Sequence, residues 1–118
     1  MQVVRSHLVR LAALAAGLVL VQGAALAADA GKGKQSFMKY GCWQCHGTVG
    51  QGSPITGPKL APEPMPLEAM TAFIRNSNRT MPPYKEAVLP NEDLADIHAY
   101  LASIPKSPDP NSIDILKN

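Results

Sequence analysis

The sequence reads as all-α, with about three main helices separated by long irregular loops. Apolar residues recur at helical spacing in separate stretches, and nowhere do they alternate as in a half-buried strand. The intervals between those stretches are rich in proline and glycine, which punctuate a chain rather than extend an element. A third observation, the run Cys42-Trp43-Gln44-Cys45-His46, falls at the end of the first such stretch.

The chain of 118 residues opens on Arg5 and Arg10, continues through an apolar run from Leu11 to Val21, and reaches Ala25-Leu26-Ala27, an A-x-A cleavage site. Residues 1–27 therefore read as a secretory signal peptide cleaved after Ala27. Gln22 and Gly23 interrupt the apolar run, which falls short of the ~20 residues that span a bilayer, so no transmembrane anchor is expected after cleavage. The expected location is the periplasm. Arg5 and Arg10 are not adjacent, and a twin-arginine route is not indicated.

The leader holds two of the eleven Lys and Arg and none of the nine Asp and Glu, which leaves the mature part with nine of each sign. No basic stripe survives there, so nucleic-acid binding has no support. A mature chain of about 90 residues sits near the size at which a single apolar core is marginal, and one domain is expected over residues 28–105.

Residues 30–40, AGKGKQSFMKY, lack proline and stop at Gly41, as a helix with a glycine terminator does. Gly33 and Phe37 share a face of that helix; Gly33 permits close approach by another helix while Phe37 packs beside it. Next comes Cys42-x-x-Cys45-His46, the attachment signature of a c-type haem. Two thiols on one helical turn each add to a porphyrin vinyl group, and the following imidazole reaches the iron. A thioredoxin-like dithiol would follow a strand in a βαβ unit, and nothing before Cys42 reads as a strand. A zinc site would need a fourth ligand, for which only His7 and His98 remain. A structural disulfide would be strained by so short a loop and leaves His46 unexplained. With both cysteines in the haem motif, the exported chain has none left for a disulfide, and one covalently attached haem is its staple.

Residues 47–66 read as loop. Pro66 suits the first position of a helix over Leu67–Arg75, whose Leu67, Met70, Phe73 and Ile74 recur at helical spacing. The segment NSNRTMPPY is polar and then proline-bound, so it is irregular. Asn91, followed by Glu92 and Asp93, supplies an N-cap and an acidic first turn for a last helix of about a dozen residues. Leu94, Ile97, Leu101 and Ile104 form its stripe, with Tyr100 at the edge, and Pro105 ends it. Residues 106–118 form a proline-broken tail whose default is disorder; Ile113, Ile115 and Leu116 are its only means of docking on the body or a partner.

His46 fills one axial position, and the other ligand decides whether the iron moves electrons or binds gas. The candidates are His98, Met38, Met65, Met70 and Met81. Met38 lies only four residues before Cys42, Met70 belongs to an apolar helix stripe, and His98 lies mid-helix. Met65 and Met81 both sit in irregular segments beside proline. Met81 leads, because Pro82 and Pro83 stiffen its loop and because it follows His46 by 35 residues, with a helix between to turn the chain.

With these features in place, residues 31–104 resemble the small single-haem class I cytochromes c of bacteria. The likeness rests on Gly33 and Phe37, Cys42 to His46, Gly57-Pro58-Lys59-Leu60, Met81-Pro82-Pro83-Tyr84 and the closing Leu94–Leu101 helix. It implies a cytochrome c-like fold in which the first and last helices cross at Gly33 and Phe37 against Ile97, Tyr100 and Leu101. It also implies that the Pro58 carbonyl accepts a hydrogen bond from the free nitrogen of His46, which orients the ligand. Arg75, Arg79 and Tyr84 flank the distal loop and are candidates for the propionates; Trp43 is a candidate docking contact and equally a packing residue.

The leading functional reading is a one-electron carrier, not an enzyme, working between a periplasmic dehydrogenase and a terminal acceptor, either as a free shuttle or as a dehydrogenase subunit. The alternative is a haem gas sensor or small haem enzyme with a displaceable sixth ligand; a third reading, a thiol oxidoreductase, would lack covalent haem.

Overall fold

The computed structural model describes residues 27–117, so the expected leader lies outside the described residues except for Ala27. Four α-helices occur among them: α1 (Ala30–Lys39), α2 (Trp43–His46), α3 (Leu67–Asn76) and α4 (Asn91–Ser103). No strand forms among the described residues, where one isolated bridge joins Ser53 to Gly57. The fold is all-α, as read from the sequence. No helix among the described residues is long and apolar enough to cross a membrane.

Helix α1 starts at Asp29, whose carboxylate accepts from the backbone of Gly31 (2.7 Å) and Lys32 (3.0 Å). Those are two of the four amides that a helix start leaves unpaired. The Asp29 amide itself donates to Asp96 Oδ1 at 2.6 Å, which ties the beginning of α1 to α4. The helix ends in a paired turn: Gly41 N–H donates to Met38 and Cys42 N–H to Phe37, both at 3.2 Å. This is the Schellman arrangement, and it requires the left-handed conformation that Gly41 adopts at φ +78°.

Helices α1 and α4 form the main packing. At Gly33 the two backbones come so close that a Cβ would overlap the Asp96 carbonyl and approach Tyr100 Cβ to 2.9 Å. One turn on, Phe37 is completely buried and its ring meets that of Tyr100 at 5.7 Å between centroids, tilted by 58°. Leu89, Leu94 and Leu101 complete the fully buried set. Truncating such a residue as Phe37 costs about 3–5 kcal/mol, a large part of the stability of a domain this small. Tyr100 is therefore core rather than stripe edge, and its hydroxyl stays satisfied by donating to the Thr48 carbonyl at 3.0 Å. Ile104, expected on the stripe, is only half-buried.

Helix α3 starts at Leu67 as read from the sequence, whereas Asn91, expected as the N-cap of α4, is already its first helical residue. Pro66 and Pro90 both occupy the N-cap position with extended backbone, so Leu67 and Asn91 are the first helical residues. Proline has no amide to leave unpaired, which suits it to either place. Asn91 thus caps nothing; its side chain accepts from Arg75 Nη2 and donates to Glu86, both at 2.7 Å. The tail is not structureless: it makes two one-turn 3-10 helices, Pro110–Ser112 and Asp114–Leu116. Ile115 and Leu116 remain exposed there and do not dock on the body.

Replacing Gly33 by alanine should force α1 away from α4 at a cost of about 1–3 kcal/mol. A fall in thermal midpoint of roughly 5–20 °C is expected by circular dichroism, with Gly31→Ala as the mild control, since its Cβ would meet only Asp29 Oδ1 at 3.1 Å. A pH effect follows from the helix cap. The Lys32 and then the Gly31 amides hold the Asp29 carboxyl below the usual carboxylate range. Its contribution is therefore present above the unfolded value of about 4 and is lost as pH falls through the lower folded value. Thermal melts between pH 6 and pH 2 should show a steeper acid loss for the natural chain than for Asp29→Asn, which caps without titrating.

Candidate functional site

The turn that closes α1 delivers the first thiol of the site. Because Cys42 N–H is bonded to the Phe37 carbonyl, Cys42 is fixed relative to the most deeply buried aromatic residue of the core. The single turn of α2 then carries Cys45 and His46 on from it, with His46 N–H donating to Cys42 O at 3.0 Å. Gly47, at φ +75°, ends that turn. The two thiols are not joined in a disulfide.

His46 is 7% exposed, and its Nδ1 lies 2.8 Å from the Pro58 carbonyl. A carbonyl only accepts, so Nδ1 is the donor of this pair, and Nε2 is the ring nitrogen left for a metal. The segment that supplies Pro58 is itself built onto the motif. Gly52 N–H donates to His46 O (2.8 Å), Ser53 N–H to Gly57 O (2.8 Å) and Thr56 Oγ1 to Cys45 O (2.7 Å). Gly57 passes so near the imidazole that a Cβ would stand 3.1 Å from both Nδ1 and Cε1.

A cavity of about 290 Å³ opens beside these residues. Cys42, Cys45 and His46 line it together with Phe37, Leu94, Ile97 and Leu101 and with Met65, Met70 and Met81. Phe73 of α3 also faces it, which explains why a residue of the expected apolar stripe is 51% exposed. Of the five residues considered as second ligands, Met38 and His98 do not line the cavity. His98 is committed elsewhere, with Nε2 3.1 Å from the Met65 carbonyl. Met70 is packed in the core and Met65 is 45% exposed, while Met81 sits half-buried in the loop between α3 and α4.

That loop is fastened to the end of α3. Tyr84 N–H donates to Ile74 O (3.0 Å), Arg75 Nη1 to Tyr84 O (2.7 Å) and Ser77 Oγ to Met81 O (2.6 Å). Tyr84 Oη donates to Tyr40 O at 2.8 Å, so the same loop also reaches the residue that caps α1. Arg75 is thus consumed as a loop brace, and neither it nor Arg79 lines the cavity, although Tyr84 does. Lys59 is the cation that does, a residue quoted above only as part of a loop pattern. Trp43 is 39% exposed and does not line the cavity. Sequence reasoning missed Ser77, Thr56 and Gly57 as site-building residues; only Gly57, beside Pro58, carried any local signal.

The chemistry of this arrangement is selective. Burial pushes the Cys42 thiol up to about 11, the opposite of the acidic thiol that a redox dithiol uses as its nucleophile. No group of three or more His, Cys, Asp or Glu side chains among the described residues could hold a metal ion alone. What the cavity does offer is two thiols, one imidazole with its outer nitrogen already bonded, methionine sulfur and an apolar wall. That set fits a haem attached through Cys42 and Cys45.

The family described as cytochrome C oxidase, cbb3-type, subunit III matches residues 28–101. No curated protein and no solved structure matches the chain.

Crowding the imidazole tests the geometry. Gly57→Val should push the 53–58 segment off His46, shift the visible absorption of the haem-loaded protein and lower its thermal midpoint by roughly 5 °C or more. Thr56→Ser, which keeps the hydroxyl on Cys45 O, should leave both unchanged.

Proposed function

The chain belongs to the haem-binding cytochrome c family whose description names a cbb3-type oxidase subunit III, and on that premise we propose that it is an exported, single-haem, one-electron carrier. Haem-based electron transfer is the family's chemistry. The finer reading assigns His46 and Met81 as the axial pair and Cys42 and Cys45 as the covalent attachment points. The observation that carries it is the 2.8 Å hydrogen bond between His46 Nδ1 and the Pro58 carbonyl, which leaves Nε2 as the free nitrogen of a ring that lines the same cavity as Met81.

Bound there, the haem supplies a one-electron Fe(III)/Fe(II) couple. The chain's part would be to hold it through Cys42, Cys45, His46 and Met81. Pro58 keeps the imidazole from rotating and raises its basicity. Phe37, Leu94, Ile97 and Leu101 keep water from the inner wall. Methionine ligation and burial both favour a high potential. No nucleophile or proton-transfer group is required, so the protein acts as a carrier rather than as a catalyst.

The leader residues Arg5, Arg10 and Leu11–Val21 support export to the periplasm. A dehydrogenase is the proposed donor. The family description names an oxidase, which supports an oxidase on the acceptor side.

The test is the reduced spectrum with and without carbon monoxide, on protein made in a host that exports it and attaches c-type haem. No change is expected for the natural chain, and ready carbon monoxide binding is expected for Met81→Ala. Binding by the natural chain would favour a gas sensor or small haem enzyme. Absence of covalent haem would sink both readings.

A further inference from the structure

We propose that Ser77 is a positioning residue for Met81, acting through the Met81 carbonyl to hold the thioether at the haem; this rests on the reading of Met81 as the sixth ligand. The loop between α3 and α4 stands on two firm feet. One is Asn76, the last residue of α3; the other is Tyr84, whose amide and carbonyl are bonded to Ile74 and to the Arg75 guanidinium. Between them, from Asn78 to Pro83, the backbone has little means of holding itself. Pro82 and Pro83 have no N–H to give, so they fix their own φ without fixing where Met81 sits.

Among the described residues, one hydrogen bond is made by any residue from Asn78 to Pro83, and it is the 2.6 Å bond from Ser77 Oγ to Met81 O. Ser77 is 9% exposed, at the point where the chain leaves α3 in an extended conformation (ψ 132°). A hydroxyl held this firmly limits the swing of the Met81 peptide and hence of its side chain. The prolines stiffen the loop, and the serine locates it.

The probe is exogenous imidazole, which binds the ferric haem only when the methionine has left. Its apparent affinity therefore reports the fraction of molecules with Met81 displaced. Loss of one hydrogen bond of ordinary strength should raise that affinity about three- to tenfold in Ser77→Ala. Ser77→Thr, which keeps the hydroxyl, should stay within about twofold of the natural protein, and Ser77→Val, of the same shape without it, should behave like Ser77→Ala. The Thr and Val pair decides the matter should Ser77→Ala fail to accumulate with haem.

A merely structural serine is separated from a positioning one in the Met81→Ala background, where Ser77→Ala should add nothing. A persistent effect there would overturn the proposal, as would natural affinity in both Ser77→Ala and Ser77→Val. Equal imidazole affinity of the natural protein and Met81→Ala would instead locate the failure in the assignment of Met81 as ligand, and the proposal would fall with it.

Discussion

With only a hydrogen at Gly33, the main chain of α1 lies directly against the Asp96 carbonyl of α4, and the depth of that contact sets the positions of the groups around it. It brings Asp29 within hydrogen-bond reach of Asp96 and lets Phe37 stack on Tyr100. It also fixes the end of α1, from which Cys42 is hung. A wider crossing would separate these groups together. The site is thus an outcome of backbone proximity at a position where no side chain is present.

From that crossing, the cavity is built by short segments borrowing each other's main chain. The loop that carries Pro58 is bonded to Cys45 and His46, and the loop that carries Met81 is bonded to the last turn of α3 and to Tyr40. The Pro58 loop adds one internal bond, from Ser53 N–H to Gly57 O, to those that tie it to the motif. Side-chain hydroxyls and one guanidinium supply the missing donors, which is how irregular backbone full of proline is kept in one conformation.

The three longer helices and the attachment motif were legible, because each depends on residues close in sequence; the crossing at Gly33 came from the likeness to class I cytochromes c. The failures lie where a side chain takes a partner that its own helix does not supply. Asn91 looked like a cap because Asn favours that place, yet Pro90 took it and left the amide side chain for Arg75 and Glu86. Arg75 looked free to meet an acidic group, yet it serves the Tyr84 carbonyl. Tyr100 looked like a stripe edge, yet it is buried, and the partner that satisfies its hydroxyl, Thr48, lies 52 residues earlier. In each case the deciding partner lies outside the residue's own helix, and local preference has no knowledge of it.

The bond from the Asp29 amide to Asp96 spans 67 residues and makes the fold a closed ring. A chain emerging N-terminus first presents Cys42, Cys45 and His46 while the helix that completes the ring has yet to appear. The turn that sets Cys42 is closed by bonds to Met38 and Phe37, so that side of the cavity is defined within a few residues of sequence. The wall of Leu94, Ile97 and Leu101 is the last part of the lining to be supplied along the chain, and the cavity is complete only when the ring is.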